Sequence, residues 1–466
     1  MTRDAAKAAD NDGHPSAAGL LHRSIELFTE LLRITRSPDR RDACRLALID
    51  LSWSLWNNTI GVYSLAGAVA WAQELVHWNP RSGPDWSRLA LLYRRTGAWE
   101  AARSAAETAL TFDAQALGTW NLLGTSCLAL GDVASGRACF EQVKVIGGDS
   151  NADQRLRLWA YMLTGEYGAG WRERGRQDDE LLAGRYEGRL LPELRPLVGQ
   201  QQWTGEPMPG RLLLLLEDGH GDGFMMARWV PQVVARVGSL CVQARAELVP
   251  LLRDQWPGVE VIRWNASPGP YDRCVLSNSL PRIFGVERPE DVRSVPYLRS
   301  SAPPPALAGT VRVGLRWAGE PVHVEDVHRS TRLADWGAVL DVPGVTFYSL
   351  QLGRGAEQVD QTSTPIMDLA PGLTDWARTA AAMMALDLII SVDTSCAHLA
   401  GALGRPVWIC LPAAPEWRWM LERTDCPWYG SARLFRQRRI GEWPALFAEV
   451  AAALEREVQE RGRLSA

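Results

Sequence analysis

The stretch that most constrains the fold of this 466-residue chain is Leu386 to Leu411, LDLIISVDTSCAHLAGALGRPVWICL. Its apolar run from Leu386 to Val392, broken only by Asp387 and Ser391, is short for a helix and suits a parallel strand buried on both faces. Asp393 and Thr394 stop the strand. Ser395 to Leu403 has small and apolar residues at helical spacing, Gly404 and Pro406 end that helix, and Val407 to Leu411 is a second apolar strand. In such a unit the N–H groups at the helix start point to the carboxyl edge of the sheet, where the helix dipole also favours an anion, so the turn is a candidate diphosphate cradle. Thr394 and Ser395 add hydroxyls, His398 reaches the same side one turn on, and Asp393 either orients a ligand hydroxyl or caps the helix. The same spacing also fits an ordinary structural role, with Asp393 or Thr394 as an N-cap and His398 as packing.

Length suggests about three domains. Hydrophobic residues make up 46% and charged residues 22%, which allows large cores, and a net charge of -4 gives no reason to expect nucleic acid. The eight cysteines are scattered without CxxC spacing, which argues for buried thiols in a reducing compartment. No apolar stretch reaches membrane-spanning length, and residues 1–16, polar and alanine-rich, read as a disordered lead rather than a signal peptide. A cytoplasmic location is the expectation.

A repeat occupies the amino-terminal third. Trp86, Leu89, Gly97, Ala102 and Ala106 are answered 34 residues later by Trp120, Leu123, Gly131, Gly136 and Phe140, the period of tetratricopeptide (TPR) repeats. A weaker preceding copy has Leu55, Ala68, Ala72, Leu75 and Pro80. Each copy reads as two antiparallel helices, and residues 17–170 as a TPR helical array, whose broad concave face suits binding; a rigid spacer or dimerisation arm is the alternative. Most of its tryptophans sit at core spacings, with Trp56 and Trp78 as candidate exposed anchors. Residues 171–208 read as connecting helices, with Asp178 and Asp179 on a solvated face rather than in a metal site. Residues 209–302 read as a first α/β lobe. It opens with RLLLLLEDGHGDGFMMARW: a strand, a turn whose Gly219, Gly221 and Gly223 allow positive torsions and close ligand approach, and a helix that Asp222 begins or caps. The PPP at Pro303 marks a linker, residues 303–440 form a second lobe, and residues 441–466 hold a final amphipathic helix.

The segment SVDTSCAHLAGALGRPVW, followed by LPAAPEWRWMLERTDCPWYGSARLFRQ, resembles the carboxyl end of bacterial TPR-linked glycosyltransferases, whose catalytic half is similar to family 9 heptosyltransferases. The resemblance implies an α + α/β fold: a TPR array, then a GT-B pair of Rossmann-like lobes with a nucleotide-sugar held mainly by the carboxyl lobe. Glu217, Gly219, Gly221, Asp222, Ala227 and Arg228 match the family's EQGLGDTIQFARY, whereas His220, Gly223 and Met225 depart from it. By that match Asp222 is the general base, and Gly219, His220 and Gly221 form the acceptor-side loop. The loop EPVHVEDVHRSTRL resembles GNPxHxNDxxRS, with His323, Arg329 and Ser330 at the matching places, and implies donor contacts from Arg329 and Ser330, with Arg329 the first choice to steady the departing diphosphate and Arg332 the second. Thr394, Ser395, Cys396 and His398 would hold that diphosphate, Asp393 would orient the ligand, and Gln351 and Thr379 would approach the nucleotide. The tryptophans Trp408, Trp417, Trp419 and Trp428 read as packing. No metal or cofactor is implied beyond the nucleotide-sugar substrate. The implied reaction is inverting transfer of a sugar to a hydroxyl of a protein acceptor presented by the TPR domain, with flagellin as the nearest analogue. The alternatives are a glycan or lipid-precursor acceptor, and an inactive scaffold, which the altered GHGDGFMM segment supports.

Overall fold

The computed structural model describes Glu30 and residues 65–182, 202–320 and 326–465, in two compact units that divide after Ser126. The helix expected over residues 17–48, Leu55, Trp56 and His323 lie outside the described residues.

In the first unit, α1 (Leu65–Trp78), α2 (Gly83–Thr96) and α3 (Trp99–Phe112) follow one another through tight turns, and α4 (Leu117–Ala129) crosses the division. Ser82 starts α2, its hydroxyl accepting from the Asp85 N–H at 3.3 Å, a cap that contributes about 1 kcal/mol. Gly97 ends the helix at φ 77°, where a side chain would be strained. Leu89, Ala90 and Leu92 of α2 and Trp99, Ala102 and Ala106 of α3 are buried in the seam between the two helices.

The period persists into the second unit, which begins with α5 (Val133–Val145), α6 (Asn151–Leu163) and α7 (Tyr167–Leu182). Gly97, Gly131 and Gly165 stand 34 residues apart at φ 77°, 80° and 82°. After each, the next N–H returns to the carbonyl five residues back: Ala98 to Tyr93, Asp132 to Cys127 and Glu166 to Tyr161. Asn151 to Leu182 is therefore a further repeat. Its landmark is disguised, because Gln154 stands where Trp86 and Trp120 stand in the earlier copies. Trp86 and Trp120 each donate an indole N–H, at 2.9 Å, to a carbonyl six residues upstream, and Gln154 donates its amide to the Asp149 carbonyl at 3.1 Å.

Two parallel sheets follow. The first contains β1 (Met208–Leu215), β2 (Val237–Ala244), β3 (Glu260–Arg263) and β4 (Arg273–Leu276) in the order β3-β2-β1-β4. The second contains β5 (Val311–Arg316), β6 (Val345–Ser349), β7 (Ile366–Asp368), β8 (Leu388–Val392), β9 (Val407–Leu411) and β10 (Ala432–Arg436) in the order β10-β9-β8-β5-β6-β7. Counted from β5, this is the doubly wound Rossmann order, whose direction reverses between β5 and β8; a ligand crevice opens at the carboxyl ends of such a pair. The helices that matter for the site are α8 (His220–Ala227), α9 (Trp376–Met384), α10 (Ser395–Ala402) and α11 (Trp443–Ser465).

The run that opened the sequence analysis folds as its pattern dictates. Side chains alternate across β8: Leu388, Ile390 and Val392 join a core with Phe447, Val450 and Leu454 of α11, while Ile389 joins the opposite core with Ala397, Leu399 and Met383. The final helix thus packs on the second lobe. The two lobes are tied by Arg228, at the end of α8, which donates to the carbonyls of Arg293 at 3.1 Å and Trp428 at 2.8 Å and stacks on Tyr297 and Trp428.

One expectation is corrected in α7. Asp178 does not lie on a solvated face: it is 2% exposed, accepts from Arg174 Nε at 3.0 Å and takes the Ser279 hydroxyl at 2.5 Å. Arg174 also meets Glu217 at 3.2 Å and Asp218 at 3.7 Å, so one guanidinium gathers three carboxylates from α7 and the loop after β1. The side chain of Asp179 lies outside the described residues.

Candidate active site

The loop after β1 and the N-terminus of α8 form one wall. Gly219 precedes α8 at φ -67°, and none of Gly219, Gly221 and Gly223 adopts the left-handed conformation, which corrects that expectation. Gly221 and Gly223 serve close approach instead. A Cβ on Gly221 would stand 2.7 Å from Cδ2 of His398, and one on Gly223 would stand 2.7 Å from Leu248. Asp222 accepts from the Gly219 N–H at 3.2 Å through Oδ2, the helix-capping role, while Oδ1 takes an ion pair from Arg418. His220 is half-buried beside Trp376, ring centroids 5.5 Å apart, with Glu247 at 3.4 Å from its Nε2; burial lowers its pKa.

The turn from Asp393 to Ser395 forms the opposite wall, at the carboxyl end of β8 beside that of β5. Thr394 is extended (φ -144°, ψ 170°) at the N-cap position, yet its side chain does not cap. Ser391 gives its hydroxyl proton to the Val392 carbonyl at 2.6 Å, so in the Ser391–Thr394 contact of 3.0 Å Thr394 is the donor. The first-turn N–H groups, beginning at Ser395 and Cys396, have no carbonyl to meet inside the helix, and Ser395 is partly exposed beside them. Cys396 is buried and its thiol is pushed up, so it stands there as a thiol and not as a thiolate.

His398, one turn on, is enclosed. Its Nδ1 meets the Tyr429 hydroxyl at 2.8 Å, its ring stacks on Trp419 at 5.1 Å, and Nε2 lies 3.9 Å from Asp393. Burial drives its pKa down to about 3; Asp393 opposes the shift, and the positive charges of Arg418, Arg329 and Arg228 add to it. At neutral pH His398 is therefore a neutral hydrogen-bonding ring, not a cation for a phosphate.

The positive charge comes from arginines. Arg418 lies on the 3-10 turn Trp417–Trp419, its guanidinium stacked 4.3 Å from the Trp417 ring centroid and bonded to Glu416 at 2.6 Å as well as to Asp222. Burial raises the pKa of Glu416, against the pull of Arg418. Arg329 is anchored by Asp326, which accepts from its Nε at 3.3 Å.

Three residues expected to contact the donor have side chains engaged within the protein. Ser330 gives its one hydroxyl proton to Asp326 at 2.8 Å and accepts from the Gly319 N–H at 2.8 Å, which closes the loop after β5 and leaves no donor for a phosphate. Gln351 is fully buried: its oxygen accepts from the N–H groups of Trp317 at 3.2 Å and Ala318 at 3.0 Å, and its nitrogen donates to the carbonyls of Leu352 and Arg354. Thr379 donates to the Asp375 carbonyl within α9 at 3.0 Å. Gly221 abuts His398, Asp393 lies 3.9 Å from His398 and Asp222 joins this group through Arg418, with Ser395 partly exposed and Cys396 buried beside them. Sequence reasoning overlooked Arg418 and Glu416, although the acid–arginine pair inside EWRW was the available signal.

No family model matches the chain. It is similar to Protein FlbA of Caulobacter vibrioides, 28% identical over 418 residues that cover 75% of this chain and 68% of that protein. Among solved structures it is similar to a family 9 glycosyl transferase from Veillonella parvula, at 12% identity and TM-score 0.39, over 56% of this chain and 99% of that one. It is also similar to an O-GlcNAc transferase mutant from Thermobaculum terrenum, at 12% identity and TM-score 0.33, over 92% of this chain and 94% of that one. With its 34-residue repeats and its two Rossmann-type strand orders, the chain is a TPR-like helical array followed by two parallel α/β lobes.

Proposed function

We propose that the chain is an inverting glycosyltransferase that moves a sugar from a nucleotide-sugar to a hydroxyl of a protein acceptor held by its TPR region, flagellin being the acceptor class its resemblance suggests. One observation supports this reading: a carboxylate at one helix N-terminus, Asp222, and the helix N-terminus at Asp393 to Cys396 face each other across His398 and Arg418. In the reaction an acceptor hydroxyl attacks the anomeric carbon, the bond to the diphosphate oxygen breaks with its electron pair, and Asp222 takes the hydroxyl proton. The N-terminus of α10, Arg329 and Arg418 steady the charge on the leaving diphosphate, while neutral His398 donates or accepts a hydrogen bond.

Thermal unfolding in the presence of UDP, GDP, ADP and CMP, and release of nucleotide from the corresponding sugars, tests the proposal. At about a hundred times its dissociation constant, one nucleotide should stabilise the chain by roughly 2.7 kcal/mol, and Asp222→Asn should retain at least that shift while losing sugar release. Failure of every nucleotide to move the midpoint would overturn it. The scaffold reading is favoured by one observation, that Arg418 already occupies Asp222.

A further inference from the structure

Arg418 lies between the two walls, and its contacts are unequal in kind. Its Nη1 and the face of its guanidinium are fixed by near neighbours in sequence, Glu416 at 2.6 Å and the Trp417 ring at 4.3 Å. Its Nη2 crosses to the other lobe and holds Oδ1 of Asp222, whose Oδ2 is already taken by the Gly219 N–H. Both Asp222 oxygens are thus engaged, and the one that must accept an acceptor proton is covered by a cation. The same guanidinium lies within the field of Asp393, and the adjoining Trp419 stacks on His398 at 5.1 Å, which sets Arg418 beside the turn proposed as the diphosphate cradle. Its side chain is 15% exposed and that of Asp222 is 23% exposed, so the contact borders the cleft.

A diphosphate brings more negative charge than one carboxylate and matches the arginine fork with paired oxygens. Building on the proposed function, we propose that Arg418 is a donor-operated latch. Arg418 caps Asp222; when the nucleotide-sugar diphosphate binds at α10, Nη2 turns from Asp222 to the diphosphate, pivoting on Trp417, and the base is uncovered. Donor binding then precedes acceptor activation. During transfer the acceptor oxygen forms its bond to the anomeric carbon, the electron pair of the broken bond goes to the diphosphate oxygen that faces Arg418, and the proton goes to Oδ1 of Asp222. Release of the nucleoside diphosphate returns Arg418 to Asp222, whose proton passes to solvent.

The latch sets two groups in competition for one arginine, and a double-mutant cycle on nucleotide affinity reads that competition directly. Calorimetric dissociation constants for UDP, GDP, ADP and CMP would be measured on the full chain for wild type, Asp222→Asn, Arg418→Gln and the pair, with Arg418→Lys as a variant that keeps the charge but not the fork. For the nucleotide that binds, Asp222→Asn should tighten binding by about tenfold, the scale of coupling seen between close charge pairs, and should do so only when Arg418 is present. Arg418→Gln should weaken binding and Arg418→Lys should restore part of the loss. An affinity indifferent to Asp222→Asn, or tightened equally in the Arg418→Gln background, overturns the latch and leaves the proposed function standing. Absence of binding by all four nucleotides overturns both. Melting curves of each apo variant identify any that fails to fold; if Arg418→Gln does, the Arg418→Lys background closes the cycle, in which the Asp222→Asn gain must shrink.

Discussion

The carboxyl edges of the two sheets are built alike and charged oppositely. Beyond β1, the loop from Glu217 to Asp222 presents three carboxylates, and the protein answers them with its own arginines, Arg174 below and Arg418 above. Beyond β8, the turn from Asp393 to Cys396 presents helix N–H groups and one carboxylate, with Arg329 and Arg418 nearby. The same strand-turn-helix unit thus carries clustered carboxylates on one side of the cleft and helix N–H groups with nearby arginines on the other. What separates them is which residues occupy a handful of turn positions, not the fold.

The contrast can be broken from either side. The largest expected effect is on chemistry: Asp222→Asn should reduce sugar release by about 10²–10⁴-fold in an assay of nucleoside diphosphate production, since it removes the proton acceptor and keeps the shape. A variant as active as wild type would show that the acidic wall has no catalytic part. Next comes Arg174→Met, which leaves Asp178, Glu217 and Asp218 without their shared cation and should cost about 3–5 kcal/mol in urea unfolding; an unchanged midpoint would mean that the cluster does not hold α7 to the lobe. Gly221→Ala should cost about 1–3 kcal/mol, because its methyl group meets the His398 ring at 2.7 Å. Gly219→Ala, whose Cβ has only the Asp222 carboxylate at 3.2 Å, should be milder, and a thermal melt that ranked them the other way would refute the close approach of α8 and α10.

The smallest effect is one of pH. Burial pushes the Glu217 carboxyl up to about 7, with Asp218 adding to the shift and Arg174 opposing it. A raised folded-state pKa means that the folded chain binds the proton more tightly, so this group's contribution to stability is present below its ordinary value near 4.5 and is lost as pH rises through about 7. Relative to wild type, Glu217→Gln should therefore look more destabilised at pH 5 than at pH 7.5 in paired urea titrations. His398 works in the other direction, its depressed pKa withdrawing stability as pH falls from about 6.5 to about 3, and it is common to both proteins, so it cancels in the comparison.

Much of this architecture was legible in the sequence where one period or one apolar run decides it. The strand, turn and helix around Asp393 fall within two residues of their expected limits, because burial on both faces leaves a continuous signature. The additional repeat was half-visible: its glycine kept the period and its tryptophan did not. The charged contacts were hidden for a different reason. Arg418 meets Asp222 across 196 positions, and Asp178 meets Ser279 across 101, and neither spacing has a local pattern to betray it. Gln351 shows the same limit in reverse: a polar residue at the end of a strand looks like a ligand contact until its four backbone partners are counted.

The last repeat described here belongs to two structures at once. Its two helices repeat with the 34-residue spacing of the copies before them, yet Tyr167 and Trp171 pack on Trp428 and Trp417 while Arg174 reaches the loop after β1. For anyone exchanging modules between such chains, the seam of the protein therefore lies at the division after Ser126, well upstream of Asn151. Helices wholly before Ser126 form a unit of their own, whereas α5, α6 and α7 travel with the lobes as part of the same chassis.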